Sequence, residues 1–593
     1  MSDSTARQQD AAHVGEAADP RPGRRARPGR SRHYRPWALG ASIVLVALGA
    51  AIHGWVSIGS GAPVWTDDEI GVLANARVLA GVGEPWQLAN LGYYPGWSVV
   101  LAPIWWMTQD PATVYRAAVT LSAVCAVAAV VPLAAIARAL GARGDVSFAL
   151  AAIVTLAPAR TVMSNYALSE NFLALMVCLT VWAALRFSDR TTAWRAVVLG
   201  LAAAYTFFSH GRTVPIVVAT AAWFVWLIVR RQVRVGMVGF VTTAIGAGTG
   251  YLIYAWMTSQ LYESVGGRES SAVSRMLEGT PQAIVRSVLG QSWYLSTAWA
   301  GLAILGAIAV AAAAHREIRR GRPDVATWYA FVVLGVAAIS VLFIARTIAR
   351  GSARLDIVAY GRYLDPFSQV LALVGLVLVV GGLSARVGLG LLAATTALSA
   401  GFLVLVVPRV PDGGWWGTIN VAGLLGWPWP QHLEEWTPPW VPLALTAALL
   451  VAVLALTRRA PWLGVAAVAA SFVVMSLSAD RSSVARFNEI NDGAAPLFGA
   501  IETLGDHPIS FDRTGSDVRS QNLYQFWLGS REVEVFRSET DEPPTDVVIS
   551  RADREGGVWM DAVRVEAFGS NAVWVLDGDL QDRLVASGTI TRE

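Results

Sequence analysis

The chain has 593 residues, of which 54% are hydrophobic and 15% charged, and its formal net charge is +3. Soluble globular domains carry about 25% charged residues, so this composition excludes an ordinary soluble protein, and the near-neutral balance gives no support to nucleic-acid binding. The two cysteines, Cys125 and Cys178, both fall inside apolar runs, which excludes a disulfide framework.

Residues 1–36 are polar and rich in Arg, Pro and Gly, and they read as a disordered basic tail. An apolar run, Trp37 to Ile58, follows directly. It is long for a signal-peptide core and lacks a small-residue cleavage site, so it is expected to be an uncleaved first span with its basic flank in the cytoplasm. Further apolar stretches are expected to span near 117–137, 146–160, 169–187, 196–210, 213–229, 235–257, 291–314, 325–345, 363–383, 386–407, 439–457 and 461–478, about thirteen helices in all. The short connections carrying Arg138 and Arg143, Arg186, Arg190 and Arg195, and Arg230, Arg231 and Arg234 would then be cytoplasmic. The chain has no Lys, so an Arg cannot be read as chosen over Lys for its fork geometry.

On the opposite side the longest connection is 59–111. Its Trp and Tyr residues, among them Tyr93, Tyr94, Trp97, Trp105 and Trp106, favour the headgroup level and are expected to hold it on the membrane surface. From 479 to 593 the composition turns polar. Short β-type runs at Ile509–Phe511, Val533–Phe536, Val547–Ile549 and Ala572–Leu576 alternate with helical stretches near 494–504 and 519–528. That pattern predicts a small α/β domain. The fold class expected is thus an all-α polytopic membrane protein, 37–478, followed by a small C-terminal extracytoplasmic α/β domain.

Three consecutive acids, Asp67, Asp68 and Glu69, stand just after the first span. They also form the pattern of a helix start, with Thr66 as N-cap and Glu69 three residues on. Glu170 follows Ser169 at another external corner, where a helix cap explains it equally well. His210 and Arg212 sit at a third corner; a lone His at a helix end is commonly structural, and Arg212 has the chemistry to bind phosphate. Arg346, Arg350, Arg354 and Arg362 crowd the connection 345–362, against the positive-inside trend, and lipid headgroups explain such a cluster as well as a substrate does. Tyr94 is a candidate for stacking on a sugar. His53, inside the first span, reads as packed. No Gly-rich phosphate loop of the Walker or Rossmann kind appears in the membrane part, which disfavours a nucleotide donor.

An acid pair after the first span, in a long external loop, resembles the signature of the GT-C glycosyltransferases. These include the protein O-mannosyltransferases, the aminoarabinose transferases and the arabinofuranosyltransferases. Tyr360-Gly361-Arg362-Tyr363 is similar to the Gly-Arg-Tyr of many bacterial members. The resemblance implies a sugar donor carried on polyprenyl phosphate, and a glycan, lipid or protein acceptor met on the extracytoplasmic face of the cell membrane. It implies a loop acid as catalytic base, Asp68 if Asp68-Glu69 is the matching pair and Asp67 if Asp67-Asp68 is. Glu170 would face that acid, and Glu69, His210, Arg212, Tyr360, Arg362, Arg354 and Tyr94 would line the substrate site. It also admits a divalent metal ion held by adjacent carboxylates. The competing reading is a transporter or flippase of lipid-linked saccharides, which calls for ionisable residues deep in the spans and an inverted repeat.

Overall fold

In lipid a chain must satisfy its backbone polar groups internally, and among the described residues nearly every apolar run does so as a helix. The computed structural model describes residues 36–592 except 65, 90–91, 263–277, 353, 411–416, 427–460, 515–517, 530 and 532. Among the described residues, eight helices are long and apolar enough to cross a membrane, and two bent helix pairs raise the number to ten if each pair is one span. The long helix Val233–Leu261 turns Ile245, Leu252 and Trp256 outward, the apolar exterior that lipid requires. The chain is a multi-pass membrane protein.

The bent pairs correct two of the expected spans. The stretch 146–160 is no single straight helix: Gly144–Thr155 meets Pro158–Asn165 at 70°, with Pro158 opening the second segment. The stretch 291–314 joins the halves of two helices, Pro281–Ala298 and Leu302–Arg319, bent by 111° where Ala300 and Gly301 take positive φ. An apolar window does not register such a break, because both sides of it are apolar. The expected span 439–457 lies outside the described residues.

Beyond the last apolar window, the helix Pro461–Thr503 runs on without a break into the C-terminal domain. There β1 (Ile509–Asp512), β2 (Val533–Phe536), β3 (Val547–Arg551), β4 (Val563–Phe568) and β5 (Asn571–Val575) form one sheet in the order β2-β1-β3-β5-β4. β1 is parallel to β2 and β3, and β5 is antiparallel to β3 and β4. The β1–β2 parallel pair needs a crossover, and the helix Val518–Leu528 supplies it. Ile509, Phe511, Val547, Ile549, Val573 and Val575 bury one core, closed by Leu497 and Ile501 of the incoming helix and by Leu504 just past its end. β4 escapes the sequence because Val563-Arg564-Val565-Glu566 is half polar, as suits a sheet edge.

Candidate active site

The connection 59–111 is not an extended loop. It folds into the helices Thr66–Ala80 and Gly96–Met107, which pack on each other. Trp97 Nε1 donates to the Ala167 carbonyl, Ser98 Oγ to that of Val72, and Asn75 Nδ2 to that of Tyr93. The last two bonds tie the middle of Thr66–Ala80 to the segment that follows it, and the three acids of its first turn favour the positive end of the helix. Trp65 lies outside the described residues, as does the side chain of Thr66, the expected N-cap.

At 100° per residue, three successive acids point in three directions, and the structure gives each a different task. Glu69 is fully buried. Its Oε1 accepts from Tyr115 Oη and from Ala167 N, both at 2.8 Å, and its Oε2 from Val64 N at 2.8 Å, so it reaches back before the helix as the glutamate of a capping box does. This is a structural brace, and Glu69 does not line the cavity that Asp68 does. Asp67 faces the C-terminal domain, where its Oδ1 accepts from Asn522 Nδ2 at 3.2 Å. Asp68 alone of the three lines a cavity.

That cavity, about 750 Å³ with its open mouth included, is bounded by Asp68, Tyr93, Tyr94, His210, Tyr360 and Arg362 among others. Tyr93 Oη donates to Asp68 Oδ1 at 2.7 Å, and Arg362 Nη1 meets Asp68 Oδ2 at 2.5 Å. The same guanidinium donates through Nε to Glu170 Oε1 at 2.5 Å. Burial opposes the charge on Arg362, but Glu170 and Asp68 together outweigh it and hold its pKa well above the usual arginine value. Glu170 is 2% exposed against 23% for the Asp68 side chain, so Asp68 is the carboxylate an incoming group can reach.

Arg212 lies behind this pair. Its Nη2 is 3.6 Å from Glu170 Oε1 and its guanidinium sits over the Tyr363 ring at 5.0 Å, yet Nε, Nη1 and Nη2 are all buried without a hydrogen-bond partner. His210 accepts the Arg212 backbone N–H through Nδ1 at 3.3 Å, which makes Nε2 the protonated nitrogen of the neutral ring. Tyr94 stacks on Tyr254 with centroids 4.2 Å apart and meets Phe207 edge-on. Burial, with Tyr363 beside it, raises the Tyr360 phenol well above its usual value and keeps it a donor.

Of the four arginines expected around 345–362, only Arg362 reaches the cavity. Arg346 and Arg350 pair with Glu278 at 2.9 and 2.8 Å, and Arg354 pairs with Asp356 at 2.9 Å. Gly361 explains the placement of Arg362. Its N–H and that of Arg362 both donate to the Asn420 carbonyl, at 2.7 and 3.3 Å, and a Cβ at 361 would run into the Tyr294 ring. Sequence reasoning missed Arg160, which is buried at the bent pair and donates to Asn171 Oδ1 and the Glu170 carbonyl. It also missed Asp365, whose carboxylate accepts from Tyr294 Oη at 2.6 Å and Trp299 Nε1 at 3.3 Å. His53 is packed as expected, between Ser164 Oγ and the Thr155 carbonyl.

The residues do not fit a metal at Asp68. Both carboxylate oxygens already receive donors, a guanidinium occupies the gap to Glu170, and no three His, Cys, Asp or Glu side chains converge as ligands among the described residues.

No protein-family model matches the chain, and no curated protein matches its sequence. Solved structures do match. The structure of ArnT from Cupriavidus metallidurans bound to undecaprenyl phosphate aligns over 91% of this chain and 99% of its own, with a TM-score of 0.53 at 13% identity. The arabinosyltransferase EmbB from Mycobacterium smegmatis aligns over 79% of this chain and 43% of its own, with a TM-score of 0.43 at 18% identity. Broken helices, a helical first connection and an acid meeting a Gly-Arg-Tyr arginine come together in a chain that shares its fold with ArnT.

Proposed function

We propose that the chain is a glycosyltransferase that moves a hexosyl or pentosyl unit from a polyprenyl-phosphate donor to an extracytoplasmic glycan, lipid or protein acceptor. The single observation that carries this reading is the Asp68–Arg362 pair on the cavity wall. The reaction needs a base for the acceptor hydroxyl and a cation for the departing phosphate, and here the two are adjacent. In the proposed step the acceptor oxygen bonds to the anomeric carbon as the carbon–oxygen bond to phosphate breaks. The electron pair leaves with the lipid phosphate, and the hydroxyl proton passes to Asp68. Arg362 then exchanges carboxylate for phosphate contacts while Glu170 keeps it in register.

Arg212 supports the same reading. Three buried guanidinium nitrogens without hydrogen-bond partners are costly and suit a site completed by an anionic ligand. The shared fold of ArnT, solved with undecaprenyl phosphate, supports a lipid-phosphate donor. The orientation rests on the charge pattern: Arg143, Arg190 and Arg230 each follow a span at the end away from Asp68, Glu170 and Arg212. Tyr94 and Tyr360 would then face the sugar, with the membrane lipid around the donor chain.

Transfer of a radiolabelled sugar by purified protein tests the proposal. Transfer from a polyprenyl-phosphate sugar, with none from the nucleotide sugar, is the expected result. Movement of the donor between leaflets without transfer would favour the transporter reading instead.

A further inference from the structure

The C-terminal domain touches the acid-bearing helix directly, and the contact is built from buried polar groups. Asn522, on the helix Val518–Leu528, is 1% exposed. Its Oδ1 accepts from Ala89 N at 3.0 Å and its Nδ2 donates to the Ala89 carbonyl at 3.4 Å, so the amide pairs with one residue of the first connection as a strand neighbour would. The same Nδ2 donates to Asp67 Oδ1 at 3.2 Å. Gln521 Nε2 donates to the Gln87 carbonyl at 2.7 Å, and Trp86 Nε1 to the Gly529 carbonyl at 2.9 Å. Phe526, on the same helix, packs edge-on against Trp86 and against Tyr115, the phenol that holds Glu69.

We infer that Asn522 is a positioning residue for Asp68, and that the helix Val518–Leu528 is an integral part of the active site. The acid on each side of Asp68 is gripped from this helix, Asp67 by Asn522 and Glu69 through Tyr115 backed by Phe526. With both neighbours fixed, the first turn of Thr66–Ala80 cannot rotate, and Asp68 is held toward the cavity. Only an amide suits position 522. It matches both polar groups of the Ala89 peptide and still donates to a carboxylate; an aspartate would set like charges against each other, and an alanine would leave buried partners unmet.

The kinetic side of this inference rests on the proposed transferase reading, so the test carries a second readout that does not. In full-length purified protein, Asn522→Asp is expected to lower kcat for sugar transfer by about 10- to 100-fold, because small displacements of a reacting group cost that much, with the donor KM little changed. Asn522→Asp combined with Asp67→Asn restores the pair between 522 and 67 in reverse, but not the bond to the Ala89 carbonyl, and is expected to recover part of the lost rate. Hydrogen exchange of the same variants should show faster exchange in the first turn of 66–80 and at 86–89 for Asn522→Asp, unchanged exchange in β1, β3 and β5, and protection regained in the first turn of 66–80 in the double variant. Wild-type kcat in Asn522→Asp, or a double variant no better than the single one, overturns the positioning role. If wild-type protein transfers no sugar, the functional reading fails, and unaltered exchange at 66–80 in Asn522→Asp then overturns the clamp by itself.

Discussion

Arg362 and Asp68 stand 294 positions apart in the chain and meet at 2.5 Å. The same guanidinium holds Glu170 through a second nitrogen, so one planar fork ties two carboxylates from two different elements. A lysine has the charge without the fork. Arg362→Lys is expected to reduce transfer by about 100-fold or more, on the scale of losing a transition-state donor. Arg362→Gln should also destabilise the protein by about 3–5 kcal/mol, because Glu170 is left buried with weaker compensation. Initial rates and thermal melts on the same samples check both; wild-type rates in the lysine variant would refute the bridging role.

Arg212 should behave differently. Glu170 keeps Arg362 when Arg212 is removed, and the lost guanidinium had no hydrogen-bonded partner to strand. Arg212→Met is therefore expected to leave the melting midpoint unchanged or raised. The donor KM should rise by about tenfold or more if the guanidinium contacts phosphate, the loss expected for one charge-assisted bond. A large fall in stability with an unchanged KM would assign Arg212 to structure alone.

Gly361→Ala tests how Arg362 is placed. The added methyl meets the Tyr294 ring, which is itself fixed by its bonds to Asp365 and to Gly423 N, so neither side yields easily. A loss of about 1–3 kcal/mol is expected from such overpacking, together with a fall in transfer as Arg362 is displaced. A variant as stable and active as wild type would show that the strand of contacts around Asn420 has slack.

Much of this site was legible in the sequence, for physical reasons that also mark where legibility stops. Asp68, Glu170, Arg212 and Arg362 each stand beside the end of an apolar run, and run ends on one side of a membrane must approach one another. What each acid does was not legible. Glu69 and Asp68 differ by one position, and only the packing of Tyr115 and Ala167 makes Glu69 a brace. Arg346, Arg350 and Arg354 looked equivalent to Arg362 until Glu278 and Asp356 claimed them. Arg160 and Asp365 were hidden because a bent pair of apolar helices has the hydropathy of a straight one. The docking of Asn522 on Asp67 spans 455 positions, a separation at which periodicity carries no information.

The C-terminal domain should lose stability in acid through Asp512. Burial of this carboxyl would raise its pKa, but the Thr514 and Ser538 amides and the Ser550 and Ser538 hydroxyls outweigh burial and hold it below the ordinary value of 3.8. Arg554 Nη2 adds a contact at 2.5 Å. The unfolded chain then takes up the proton first as pH falls, so the stabilisation is complete above 3.8 and is lost as pH drops through the folded value. Exchange of β1 and β3 amides in full-length protein should rise over that window in wild type and vary less with pH in Asp512→Asn. Equal acid sensitivity in the two would remove Asp512 as the cause.

The central claim is that Asp68 takes the proton, and Asp68→Asn tests it most directly. The amide keeps the size of the side chain and can still accept from Tyr93, so a folded protein is expected. Transfer from a labelled polyprenyl-phosphate sugar, normalised to folded protein, should fall by about 100- to 10,000-fold, the contribution typical of a general base. A folded Asp68→Asn variant that transfers sugar as fast as wild type would contradict it.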